Sequence, residues 1–450
     1  MKHFRDLDLS SYSLSSVSGF LPERPALERL PNPYYDHWED LSRNLPQLVA
    51  SDTLKDKLER LPILSTALLD SEEEWRRAYV VLSFLSQGYI WSGDQPRRNL
   101  PIAIAAPLRR VSEYLTIMPC GTFAAYCLWN VIPSPKFGNP QINPEDFIST
   151  CTFTGSKEEE WFYVISVAIE ARGGRLIPKI LDAIDAVKEN DTPRVRSFLE
   201  AFITCVDGII LVLDRMGENL SQEFFYHRLR PYLRGGKNMA QVGLPDGIFY
   251  PLCQCEGGEG EWLAYSGGSN AQSSLIQLMD ITLGTCQNVE FIKEMRNYMP
   301  GPHREFLELM TSVSNIRPYI LSLGNDSDVR SLYDKAVLRL AALRDCHLRV
   351  VARYILIPAG KKNPSGHRQL QERGRGTGGT DIMKFLRETR NNTLSACCEQ
   401  SKGSTVVQTY PKRCETCGSG PIDRTTLIKK ATVVINEIEC LREGELGLEK

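Results

Sequence analysis

Apolar residues recur at three- and four-residue spacing along most of this chain, the signature of helices with one buried face. In the first third, LKDKLERL, EEEWRRAYVVLSFLSQGYIW and APLRRVSEYL read this way. A Pro-rich break, NVIPSPKFGNPQINPED at 130–146, separates that unit from the rest. Beyond it, KEEEWFYVISVAIEARGGRLIPKILDAIDAV, PRVRSFLEAFITCVDGIILVLDRM and QEFFYHRLRPYL read as helices with Gly-Gly or Pro punctuation between them. SSLIQLMDITLG, NVEFIKEMRNYM, PHREFLELMTSV, DVRSLYDKAVLRLAALRDCHLRVVARYILIP and DIMKFLRETRNNTL continue the series. Strand signals are scarce, and only the loop VGLPDGIFYPLCQCEGGEGEWLAYSGGSN has room for a short extended piece. Residues 358–380 are polar, basic and Gly-rich, as a mobile loop would be. The fold class expected is all-α. A small helical domain with an extended arm covers 1–130, a large helical domain 131–394, and a polar, Cys-containing tail 395–450.

Composition narrows the function classes. A chain of 450 residues suits two or three domains. Lys plus Arg number 53 against 55 for Asp plus Glu, a balance that argues against nucleic acid as a partner. The run FLEAFITCVDGIILVL at 198–213 is interrupted by Glu200 and Asp207 and is shorter than the roughly 20 apolar residues a bilayer requires, so it reads as a buried helix. The first 20 residues hold no apolar core of a secretory signal. Thirteen irregularly spaced cysteines make a poor disulfide framework and suit a reducing cytosol. Cys397, Cys398, Cys414 and Cys417 could hold zinc, but adjacent cysteines are not the usual knuckle, and free thiols in a polar tail are the better-supported reading.

The candidate chemistry lies in AALRDCHLRVVARYI, residues 341–355. Relative to His347, the residues Leu340, Leu343, Val350, Val351 and Tyr354 share one helical face, while Arg339, Asp345 and Arg349 take the other. From the local pattern, a core histidine bonded to a carbonyl is the better-supported reading. The alternative is a metal ligand. No second ligand sits three or four residues away on that face, which disfavours zinc, and a lone imidazole on an apolar face suits haem. Arg344, one turn away, could pair with a haem propionate or be an ordinary surface charge. No two histidines have metal-ligand spacing. The loop GRGTGGT lacks the GxxxxGK[ST] order of a phosphate cradle, which leaves a lid or a plain linker.

Several further stretches, in order, carry a resemblance: LPILSTALLD, AYVVLSFLSQGYIW, RLRPYLRGGKN, LPDGIFY, SGGSNAQSSLIQLMDITLG, EMRNYMPGPHREFL, AALRDCHLRVVARYILIPA and GRGTGGTDIMKFL. Together they resemble the indoleamine 2,3-dioxygenase family over roughly residues 30–395. The resemblance implies a large helical domain holding haem b, capped by a smaller one. It also implies insertion of dioxygen across the indole C2–C3 bond of L-tryptophan to give N-formylkynurenine, the first step towards kynurenine and NAD. An electron donor that keeps haem ferrous goes with it; the cysteine usage suits the cytoplasm, the apolar runs give no membrane partner, and nothing in the sequence demands more than a monomer.

The same resemblance implies roles for single residues. His347 matches the proximal haem ligand, and Arg344 and Asp280 the pair near a propionate. Gly268, Ser269 and Asn270 match the loop at the haem edge. Arg230 matches the arginine for the substrate carboxylate, a task its forked guanidinium suits; otherwise it would read as a helix-surface arginine. Phe225 matches the aromatic on the indole, Phe162 and Ser166 the distal-pocket pair, Phe123 a pocket position, and Thr377 the threonine closing over the amino-acid end. Phe162 and Ser166 are four apart and so share a helix face. Two positions depart from the pattern: Asn270 where a small residue is usual, and Tyr126 where some relatives have cysteine. These keep a second reading open, a haem protein of the same fold acting on another indoleamine or sensing a ligand. A helical scaffold without cofactor is the third.

Overall fold

The structure, a computed structural model, describes residues 3–135, 142–253, 258–285, 290–324, 327–360, 376–377 and 381–398. They lie in one compact unit, Met1–Lys402, and the expected boundary at 130/131 falls inside it. The expected loop at 358–380 and the tail from 395, with Cys414 and Cys417, fall largely outside the described residues.

The described chain is helical throughout, with two small antiparallel strand pairs. The centre is the helix Thr192–Asp214, which the sequence marks as buried: Phe198, Phe202, Val206, Ile209 and Ile210 face the core. Its two interruptions are carried on the surface side, Glu200 against Arg196 and Asp207 against Arg339. Against it pack Lys157–Gly174, Ile177–Lys188 and Asp328–Val351. The last of these also takes the C-terminal helix Ile382–Leu394 on its flank. No described helix is long and apolar enough to cross a membrane.

Two expectations about local structure need correction, and two are sharpened. The extended piece in the 242–270 loop is a hairpin, β3 (Ile248–Pro251) against β4 (Gly260–Leu263). A second pair, β1 (Val131–Pro133) with β2 (Phe147–Ser149), lies where only a Pro-rich break was expected; short edge strands tolerate proline at their ends. QEFFYHRLRPYL is not one helix: a single α turn at Gln222–Phe224 gives way to a π turn at Phe225–Leu229 and a 3-10 turn at Arg230–Leu233, where Pro231 has no N–H to continue an α ladder. Gly173 and Gly174 do punctuate two helices: they close the Lys157–Gly174 helix, and the next starts at Ile177. There a side chain on Gly174 would collide with the backbone of Ser18 and Gly19, and Gly19 itself has a φ of +67°. The N-terminal arm is therefore docked backbone to backbone.

His303 sits beside that dock. It is buried within the helix Gly301–Val313, with Phe20 edge-on at 5.0 Å. Burial, with the charge of Arg76 adding, pushes its imidazole down to about 3. A histidine whose folded pKa lies below its unfolded value contributes stability that is complete above about pH 6.5 and is lost as pH falls. Urea denaturation at pH 7 and pH 5 is expected to show His303→Phe losing about 2 kcal/mol less over that interval than the parent chain.

Candidate active site

The helix Asp328–Val351 presents His347 and its apolar neighbours as the heptad-like spacing requires. Leu340, Leu343 and Val351 are buried, and Arg339 and Asp345 on the far side pair with Asp207 and Arg390. His347 itself is half-buried, and among the described residues it has no hydrogen-bond partner. A satisfied core histidine would be closed on both counts. Burial, reinforced by the charge of Arg344, pushes its pKa down to about 4, so the ring is a neutral imidazole near pH 7.

Arg344 is not a surface charge. Its Nη2 reaches both carboxylate oxygens of Asp280, at 2.9 and 2.7 Å, from the facing helix Ser274–Leu283. Thr285 Oγ1 donates to the same carboxylate at 2.7 Å. The other guanidinium nitrogen, Nη1, is buried and has no partner among the described residues. An orphaned buried donor on a cation is costly unless a ligand supplies an acceptor.

Directly after the end of that helix the ladder loosens into a π turn, Ala352–Leu356, which carries Tyr354. Its ring meets Phe225 at 5.7 Å, and Phe225 lies in the second π turn. Phe225 meets Phe162 at 5.1 Å, and Phe162 meets Tyr163 at 5.8 Å. Tyr163 stacks on Tyr126, at 6.0 Å, in the third π turn, Ala124–Leu128. Phe162 and Ser166 come from the helix Lys157–Gly174, with Ser166 buried and Phe162 half-buried. The described π turns thus all bring side chains to one aromatic wall, as such turns commonly do at functional sites. Tyr126 is fully enclosed, its hydroxyl accepting from Gln87 Nε2 at 3.3 Å.

Arg230 is completely buried, contrary to the reading as a helix-surface arginine, with its guanidinium 5.5 Å from the Tyr226 ring centroid. The chain then enters a node where three backbones meet. Gly235 and Gly267 approach so closely that a side chain on either would strike the other's backbone. Both of their N–H groups donate to the Thr377 carbonyl at 3.3 Å, and Thr377 Oγ1 donates to the Gly268 carbonyl at 2.9 Å. The structure therefore brings Thr377 and Gly268 together. Ser269 accepts from the Ala271 N–H at 3.2 Å, and Asn270 is exposed on the turn that follows. Gln272, which sequence reasoning passed over, ties the node to Phe123: its Oε1 accepts from the Phe123 N–H at 2.9 Å and its Nε2 donates to the Gly267 carbonyl at 3.0 Å. A polar residue two positions ahead of an apolar helix was the only signal for it. Tyr354 was legible merely as part of an apolar stripe.

The described residues contain no group of three or more His, Cys, Asp or Glu side chains that could hold a metal ion; Cys397 and Cys398 lie just beyond the helix Ile382–Leu394. Residues 8–396 match the family model described as indoleamine 2,3-dioxygenase. The chain belongs to that family. It is similar to the indoleamine 2,3-dioxygenase nanC of Aspergillus nanangensis, at 47% identity over 87% of this chain and 97% of the relative. It is 35% identical to the 6-hydroxytryptophan 2,3-dioxygenase fscD of Fusarium equiseti, over 86% of this chain and 98% of that one. The indoleamine 2,3-dioxygenase of Saccharomyces cerevisiae is 32% identical, over 86% and 93%. Members of the family are haem dioxygenases, so the chain is an oxidoreductase of that class, acting on tryptophan or a related indoleamine.

The Arg344–Asp280 pair gives a direct test of the site's architecture. Asp280→Asn leaves a buried guanidinium without its counter-charge, at an expected cost on the order of 2 kcal/mol or more in urea denaturation. Adding Arg344→Met, which removes the stranded charge, is expected to restore most of that loss.

Proposed function

We propose that the chain holds haem b through His347 and cleaves the indole C2–C3 bond of L-tryptophan, one oxygen atom going to each carbon to give N-formylkynurenine. The observation that carries the reading is the pairing of a half-buried, neutral, unbonded His347 with the orphaned Nη1 of Arg344 one turn away. An axial ligand must offer a free ring nitrogen, and a propionate needs a buried cation. Both groups are present, in a family of haem enzymes.

In this reading, ferrous haem supplies the activation of dioxygen when bound, and an external electron donor keeps it ferrous. The chain positions and excludes water. Asp280 orients Arg344 so that Nη1 is left for the propionate. Arg230 takes the substrate carboxylate in a two-point fork, inside a wall that bulk water does not reach. Phe225 and Phe162, already in contact, offer one continuous aromatic surface for the indole to pack on. Ser166 offers one small hydroxyl beside it, and Phe123 and Tyr126 close the floor. Thr377, held on Gly268, closes the amino-acid end, and the Gly268–Asn270 turn borders the haem edge. We retain residues 1–130 as the small domain capping 131–394, with a monomer as the working unit in the cytoplasm.

A second reading is supported by the Fusarium relative, whose name gives 6-hydroxytryptophan as substrate. Tyr126, bulky at the pocket floor, is the residue expected to decide between the two, and turnover of each compound by Tyr126→Cys and the parent chain compares them directly.

His347→Ala is expected to lose the Soret band and all dioxygenase activity while keeping its far-ultraviolet helical signal. A haem-loaded, fully active variant would sink the assignment. Arg230→Lys keeps the charge but loses the fork, so KM for tryptophan is expected to rise about 10- to 100-fold with haem content unchanged. Unchanged tryptophan kinetics would remove Arg230 from the carboxylate role.

A further inference from the structure

Glu170 is a buried acid that the reading above leaves unused. It stands four residues after Ser166 on the helix Lys157–Gly174, so the two share a face. It is 1% exposed. Its Oε1 accepts from Ser273 Oγ at 2.5 Å, and its Oε2 is buried with no partner among the described residues. No described basic side chain pairs with it. The buried Cys127 thiol, in the π turn that carries Tyr126, is near enough to feel both the Glu170 carboxyl and the Ser166 hydroxyl. Ser273 in turn caps the helix Ser274–Leu283, accepting from the Ile276 N–H at 3.3 Å, and follows directly on the Ser269–Gln272 turn. One carboxyl therefore joins the distal helix to the turn at the expected haem edge and to the helix that carries Asp280.

A carboxylate with one hydrogen bond and no counter-charge is strongly disfavoured in such a wall. A neutral carboxylic acid fits it, accepting from Ser273 on one oxygen and carrying its proton on the other. Burial pushes Glu170 up to about 7, with the Ser273 bond opposing. Ionisation would place a bare charge beside Ser166 and Cys127, and a charge there demands water in a wall that is otherwise dry.

We propose that Glu170 is a positioning residue of the dioxygenase site, an acid that clamps the Ser269–Ser273 segment onto the helix bearing Phe162 and Ser166 and whose ionisation draws water into the pocket wall. The inference rests on the assignment of Phe162 and Ser166 to the substrate pocket. It makes the site sensitive to alkalinity through a residue that touches neither substrate nor haem.

The test uses the haem-loaded chain and two readouts. Infrared difference titration of the parent against Glu170→Gln reads the C=O stretch of a protonated carboxyl; the band is expected at pH 6 and lost by pH 8.5. Steady-state kinetics with tryptophan over the same range is expected to show kcat/KM falling roughly tenfold or more between pH 6.5 and pH 8.5 in the parent, following the neutral fraction. Glu170→Gln, isosteric and always neutral, is expected to lack that limb. Ser273→Ala is expected to move the limb to higher pH, because it removes the one bond that favours the ionised form; a purely structural role would leave the midpoint where it was. A limb that persists in Glu170→Gln, or no protonated band at pH 6, overturns the proposal. Absence of tryptophan turnover in every variant at every pH overturns the functional reading and the positioning role with it, and the infrared titration still decides separately whether Glu170 is a neutral acid.

Discussion

The contact on which the site depends is the two-point bond from Arg344 to Asp280. Burying a guanidinium and a carboxylate is expensive, and only near-ideal geometry offsets it. Here one nitrogen serves both oxygens, and Thr285 satisfies the carboxylate further. That geometry fixes the rotation of the Asp328–Val351 helix against Ser274–Leu283. Since His347 stands three residues on, its direction is fixed with it. The same rotation puts Leu340 and Leu343 into the core and leaves Arg339 and Asp345 for partners on neighbouring helices. A slip of one residue would turn the helix by about 100° and bury the wrong charges.

Around this fixed helix the pocket wall is built from backbone that is not ideal. Each of the π turns contributes an aromatic side chain to the chain of rings from Tyr354 to Tyr126. A π turn adds one residue to a helical repeat and so re-aims every side chain after it without ending the element. The Gly235–Gly267 approach works in the same sense: two backbones close to a distance that no side chain permits, and Thr377 bonds across both. The wall is thus rigid through main-chain contacts, which suits a site whose task is to orient an indole and keep out water.

This explains what could and could not be read from the sequence. Helix positions were legible because the apolar period is strong, and AALRDCHLRVVARYI showed the right face for His347. The nature of the face was not: periodicity cannot tell a closed core from a cavity, so His347 read by itself as a core residue first and a ligand second. Arg230 looked like a surface arginine because its burial comes from long-range packing of a turn that Pro231 breaks, and no local pattern encodes it. The π turns left no mark, since one inserted residue barely perturbs an apolar stripe. Gln272, Glu170 and Cys127 were invisible for a related reason, as their importance lies in whom they meet across the fold. The motifs GRGTGGT and SGGSN, by contrast, gave Thr377 and Gly268 through resemblance alone, and the structure brings those two residues together.

The buried charged groups near the site divide by how they are compensated, and the division follows function. Asp280 is satisfied within the protein, while Arg344 retains a buried donor with no described acceptor. Glu170 has half of its carboxyl bonded and no described cation nearby. A fold selected for stability alone would replace such groups with apolar ones of the same size, often at no loss. Their retention makes sense if their incomplete satisfaction is what a ligand completes or a proton tunes. On that view Arg344 is a cation waiting for an anion, and Glu170 an acid whose charge its surroundings disfavour. The wall between them stays dry because its remaining surface, from Tyr126 to Tyr354, is aromatic.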